Sequence, residues 1–104
     1  MTIVKIHGHT VPATSERIGT REFLDLTGLT EDALMELVRL DWLAPARTAQ
    51  QEFLFVSMDV PRVRKYRRLC ADFELSPVAG IIIVDLLERI AQLEERLSAL
   101  PDRY

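Results

Sequence analysis

The residues able to do chemistry in this chain are carboxylates and guanidiniums placed for recognition rather than for bond making. Residues 30–41 hold Glu31, Asp32, Glu36 and Asp41 against a single Arg39, a local balance of −3. Residues 59–72 hold Arg62, Arg64, Lys65, Arg67 and Arg68 against Asp59 and Asp72, a balance of +3. A surface that leads with carboxylates is repelled by a phosphate backbone. Met35 stands among the acids of the first segment, and a soft apolar contact ringed by charge is what a protein-binding surface offers. The candidate partner-binding set is therefore Glu31, Asp32, Met35, Glu36 and Arg39, with Arg39 also able to pair internally with Glu36 or Asp32. The same run also reads as a solvated helix face, and the basic run as internal pairing or phosphate contact.

Nothing in the sequence assembles a catalytic or metal-binding set. His7 and His9 are the only histidines and Cys70 the only cysteine, which leaves a metal site without its ligands and rules out an internal disulfide. There is no glycine-rich phosphate loop and no nucleophile elbow. The expectation is a protein without enzymatic activity, cofactor or metal. The net charge of −3 gives no general attraction to nucleic acid or anionic membrane. The longest apolar run, residues 78–84, is far shorter than the ~20 residues of a membrane span. The first residues lack a long apolar stretch followed by a cleavage site, so no signal peptide is expected. With its lone cysteine, the chain is expected in the cytoplasm.

A chain of 104 residues supports one modest core, and its punctuation divides it into three parts. Residues 1–19 read as a strand at most, around Ile3, Val4 and Ile6, followed by a loose lead-in rich in small and polar residues. Residues 20–75 read as a helix-turn-helix with a wing. Its first helix covers about residues 21–27, with Thr20 as N-cap and Gly28 as a left-handed stop. Thr30 then caps a second helix, with Leu29 and Leu34 placed for a hydrophobic staple. Leu34, Leu37, Val38 and Trp42 form its buried stripe. Residues 52–56 are strand-like, and the polar tip at 47–51 makes a hairpin with the segment leaving Trp42. A third helix at 59–73 buries Val60, Val63, Tyr66, Cys70 and Phe73.

Residues 76–104 are read as a coiled-coil dimerisation helix. Ser76 and Pro77 open it as N-cap and first residue, and Pro101 ends it. Ile83, Leu86, Ile90, Leu93, Leu97 and Leu100 step by 3, 4, 3, 4 and 3, a heptad seam. Asp85/Arg89 and Gln92/Arg96 sit one turn apart on the outer side. A core of this size cannot cover Ile90, Leu93, Leu97 and Leu100, and at ~25 cal/mol per Å2 their exposure forfeits several kcal/mol. A second copy of the chain resolves this, so a homodimer through this helix is expected, its direction left open by the pattern.

The order helix-turn-helix, wing, a helix introduced near Met58-Asp59-Val60, and a terminal heptad helix resembles the MerR superfamily of winged-helix dimers. Within it, Glu22-Phe23-Leu24, Thr27-Gly28-Leu29-Thr30-Glu31, Leu43-Ala44-Pro45, Phe53-Leu54-Phe55 and Pro77-Val78-Ala79-Gly80-Ile81 look like the CbpM chaperone-modulator family. The likeness runs from about residue 19 to residue 100. It implies a mainly α fold, a winged helix-turn-helix with a small β-hairpin wing and a C-terminal dimerisation helix. It further implies binding to the J-domain of a DnaJ/CbpA-like co-chaperone, and inhibition of that protein's stimulation of DnaK. MerR regulators carry a basic, aromatic recognition helix where this chain has Leu34, Met35 and Glu36, a departure that agrees with the charge reading. J-domains dock on DnaK through a positively charged helix, which an acidic face would complement. The alternative is a MerR-type DNA-binding transcriptional regulator, with Arg47, Arg62, Arg64, Lys65, Arg67 and Arg68 on phosphates.

Overall fold

Gly28 ends the first helix in a conformation that suits glycine, and the helix-turn-helix is built around it. The computed structural model of the chain describes residues 3–6, 9–12 and 16–101. Helix α1 (Thr20–Thr27) stops where Gly28 takes φ 77° and donates its N–H to Leu24 O at 2.8 Å. A Cβ there would also lie 3.2 Å from Arg67 Cζ, so conformation and space both favour glycine. Thr27 is buried at the end of α1, and its hydroxyl donates to Phe23 O at 2.8 Å, which satisfies the polar group. The helix begins one residue earlier than expected. Gly19 occupies the cap position in extended conformation and Thr20 is already helical, because Gly19 is still paired in a strand.

Thr30 caps helix α2 (Glu31–Arg39) as expected, its hydroxyl accepting from Ala33 N at 3.2 Å. Leu34 and Leu37 are fully buried and Val38 half-buried. Trp42 reaches the core by a different route from the helical stripe. The helix ends at Arg39, Asp41 turns the chain at φ 60°, and Trp42 N donates to Leu37 O at 3.0 Å.

The wing is a three-stranded antiparallel sheet. Strand β1 (Ile3–Ile6) pairs with β2 (His9–Pro12) in a separate hairpin, while β3 (Arg17–Gly19), β4 (Ala46–Arg47) and β5 (Phe53–Val56) form the sheet in the order β3-β5-β4. The expected β4–β5 hairpin is there, with Ala46 opposite Leu54 and Arg47 opposite Phe53. Two strands, β2 and β3, come from the stretch expected to be a loose lead-in. Each is too short to show a period of two, and β3 is held by a tertiary partner: buried Ile18 lies opposite Phe55. Phe23 of α1 stacks on Phe55 with ring centroids 4.5 Å apart, which fixes the sheet to the helices.

A 3-10 turn at Ser57–Asp59 leads into α3 (Val60–Phe73), one residue later than expected. Val60, Val63 and Tyr66 are buried and Cys70 is half-buried, but Phe73 is 67% exposed. The helix stops at that residue and Glu74 turns the chain at φ 52°, so Phe73 overshoots the core. Ser76 Oγ accepts from Ala79 N at 3.2 Å and opens α4 (Pro77–Ser98). Gly80 lets α4 lie directly on α3, since a Cβ there would be 2.4 Å from Cys70 Sγ and 2.9 Å from Tyr66 Cε1. Val84 completes the contact at full burial, and from Arg89 to Leu100 every residue is exposed. Leu100 lies past the last helical residue, Ser98, because Pro101 disfavours helical geometry in the residue before it. No helix of the described residues is long and apolar enough to cross a membrane.

Candidate functional site

The acidic face of α2 is real but smaller in net charge than its composition suggests. Glu31 and Asp32 are exposed in the first turn, where carboxylates also suit the helix dipole. Glu36 is half-buried and forms an ion pair with Arg39 one turn on. An exposed pair of this kind contributes about 0–1 kcal/mol, and it leaves Glu31 and Asp32 as the outward charge. Met35 is divided between two roles, since it packs partly buried against the core cluster. The structure adds one acid that the sequence reading left out. Asp25, exposed on α1, lines a shallow groove with Glu31 and Arg21, so carboxylates of both helices of the turn face it together with one cation.

The basic run of α3 separates into arginines with structural partners and cations without them. Arg62, expected among the phosphate contacts, is withdrawn from that role. Its side chain is only 11% exposed, Nη2 donates to Asp85 at 2.9 Å, and Nε donates to Glu88 at 3.2 Å. The guanidinium lies 4.1 Å over the Trp42 ring, and Trp42 Nε1 donates to the same Asp85 oxygen at 2.9 Å. Asp85 is therefore not half of an outward Asp85/Arg89 pair but the junction between α4, α3 and the end of α2. Arg62 Nη1 is buried without a hydrogen-bond partner among the described residues. A buried guanidinium needs its carboxylates, because removing them would strand a charge. The signal for this junction was in the sequence, where Asp85 ends the apolar run Ile81-Ile82-Ile83-Val84 and Glu88 follows after Leu86 and Leu87. An acid in such a setting is seldom without a partner.

Two more arginines close the end of α1, which has no basic residue in its own last turn. Arg64 Nε donates to Leu26 O at 2.7 Å, and the Arg67 guanidinium lies against Gly28. Both complement the negative end of that helix. In the wing, Arg47 stacks over Phe53 at 4.7 Å. Lys65 and Arg68 are exposed and have no ion-pair or hydrogen-bond partner among the described residues. Burial pushes the Tyr66 hydroxyl well above the usual tyrosine range, with Cys70 and Glu36 adding to the effect.

The seam of α4 is offset from its expected start. Leu86, Ile90, Leu93 and Leu97 are 42–68% exposed, whereas Ile83 is half-buried on its own domain. Val78 and Ile82 are exposed instead, so the open stripe runs Val78, Ile82, Leu86, Ile90, Leu93, Leu97 at helical spacing. Leu100 is exposed beyond the helix.

Among the described residues no group of three histidine, cysteine or acidic side chains could hold a metal. The imidazoles of His7 and His9 lie outside what is described. A family model described as "MerR HTH family regulatory protein" matches residues 18–101, the part that contains the wing, all four helices and the acidic face. Comparison with curated proteins gives no match.

Proposed function

Because the chain belongs to the MerR helix-turn-helix family of regulatory proteins, we propose that it is a non-catalytic regulator acting through protein contact. Its partner in this reading is the J-domain of a DnaJ/CbpA-like co-chaperone, whose stimulation of DnaK it would inhibit. The observation that carries the reading is the exposure of Glu31 and Asp32 on the second helix of the helix-turn-helix, while Arg39, the cation of that helix, is taken up by Glu36. In a duplex reader, that helix enters the major groove. Carboxylates there would meet phosphate at close range, whereas a cationic helix of a protein would be attracted. Met35 offers an adaptable apolar contact in the same face. The stripe from Val78 to Leu97 supports a homodimer through α4, since a second copy would cover what one domain leaves open.

The test is binding of purified J-domain followed by calorimetry across a salt series. Affinity should fall as ionic strength rises, because exposed charges are screened within ~10 Å at 0.1 M salt. The double variant Glu31→Lys, Asp32→Lys should lose binding while its circular dichroism stays unchanged. Full binding by that variant at physiological salt would remove this face from the reading.

A second reading is a DNA-binding regulator, favoured by the family and by the unpartnered Lys65 and Arg68 on α3. Tight duplex binding that falls steeply with salt would support it.

A further inference from the structure

Around the end of α1 the acidic surface gives way to a groove of opposite sign. A concavity of about 430 Å3 runs between the end of α1 and the outer side of α3, lined by Arg64, Arg67 and Arg68 together with Asp25 and Asp72. The groove is not isolated from the α2 face. Asp25 belongs both to it and to the groove that Glu31 lines, and Gly28 and Arg67 also border the hollow beside Thr30 and Ala33. Negative and positive surfaces therefore meet at the helix-turn-helix turn, within reach of one partner.

Structural duty accounts for only part of the positive charge in the groove. Arg64 uses Nε on Leu26 O and Arg67 rests on Gly28. Arg68 makes no such contact among the described residues. A guanidinium fork binds a carboxylate through two parallel hydrogen bonds. A side-chain carboxylate placed in the groove would meet three arginines against two acids, Asp25 and Asp72, a net attraction. A duplex is less suited, because its phosphates recur along both strands, while Asp25 and Asp72 line this groove and Glu31 lines the next.

We propose that this groove is a second docking site, which takes a carboxylate-bearing segment of the same partner that α2 engages. The inference rests on the protein-binding reading of α2 and deepens it. The partner must be dipolar, with an acidic segment beside its cationic helix, and the pairing of opposite signs at two points fixes its orientation.

The experiment compares two charge reversals on α3 in the full chain. Arg68→Glu lies in the groove, while Lys65→Glu changes the total charge equally and lies outside the groove lining. Binding of the purified J-domain of a CbpA-like co-chaperone is measured for both, with thermal melting to confirm folding. Arg68→Glu should weaken binding about tenfold or more, the loss expected when one member of a charge-assisted pair is removed. Lys65→Glu should change it less than about threefold, as a rim charge does. Equal effects of the two reversals, or none from either, overturn the groove while leaving the α2 reading intact. Loss of duplex DNA binding in Arg68→Glu with J-domain binding unchanged also overturns it, in favour of phosphate. Failure of the unaltered chain to bind the J-domain removes both readings together.

Discussion

Replacing Gly80 by alanine tests how closely α4 is held to α3, because two effects of similar size oppose each other there. In an open helix interior, glycine to alanine stabilises by about 0.8–1.0 kcal/mol through backbone entropy. The added methyl would contribute a further ~0.8 kcal/mol if it were buried without strain. At Gly80, however, the new Cβ would fall 2.4 Å from Cys70 Sγ and 2.9 Å from Tyr66 Cε1. Neither obstacle is the free end of a long side chain. Tyr66 is buried against Trp42, with ring centroids 5.3 Å apart, and the cysteine sulfur has a single torsion to move. Forcing a methylene into such a contact costs about 1–3 kcal/mol, occasionally more. The clash here is severe enough to place the cost at or above the upper end, so the net effect is destabilising by about 1–2 kcal/mol.

Urea and thermal unfolding at fixed protein concentration measure this loss, the fixed concentration being needed for any dimer. A domain of this size should lose roughly 4–8 °C in Tm per kcal/mol. The double variant Gly80→Ala, Cys70→Ala removes the nearer obstacle. It should recover about 1 kcal/mol relative to the sum of the single changes, as residues in contact do. A Gly80→Ala protein as stable as the parent, or more stable, would refute the close approach of α3 and α4.

Two further outcomes follow from the junction at Trp42 and from Tyr66. Arg62→Ala should destabilise by about 1–3 kcal/mol in urea unfolding, below the 3–5 kcal/mol of a fully buried pair because Asp85 and Glu88 stay partly in water. Lys65→Ala on the same helix should fall within about 0.5 kcal/mol, and equal losses for the two would dismiss the junction. The raised pKa of Tyr66 sets a pH window. The folded protein keeps its hydroxyl proton above the ordinary value of 10.0 while the unfolded chain loses it, so stability is unaffected below that pH and falls as pH rises through and beyond it. Stability measured against pH should show this alkaline decline in the parent and a shallower one in Tyr66→Phe; identical profiles would place the cause elsewhere.

The helix ends were legible because they depend on local chemistry. Thr30 and Ser76 accept the hydrogen bonds expected of caps, and Gly28 takes the left-handed turn expected of a stop. The apolar spacing of Leu34, Leu37, Val60, Val63 and Tyr66 likewise marked buried faces, since helical period and burial coincide over several turns. What the sequence hid depends on partners distant in the chain. Strand β3 is three residues long and exists because β5 pairs with it. Ile83 fits the heptad as well as Leu86 does, yet α4 lies on α3 through Gly80 and Val84, which turns Ile83 inward and Val78 and Ile82 outward.

Charge was the least legible property, because sequence gives the sign of a group and not its occupant. Arg62 and Arg68 are indistinguishable as letters in a basic run. One is held by two carboxylates and a tryptophan ring, while the other faces a groove with no partner among the described residues. The same sorting applies to α2, where Glu36 is occupied by Arg39 and Glu31 and Asp32 are not. Once occupied charges are set aside, Glu31, Asp32 and Asp25 with Arg21 stand on one side of the turn, and Arg68 with the free edges of Arg64 and Arg67 and the carboxylate of Asp72 on the other. Such a field attracts neither a polyanion nor a uniformly basic surface over its whole extent. In the protein-binding reading proposed above, the partner is selected by the arrangement of both signs, which a protein surface can match more closely than a repeating phosphate backbone.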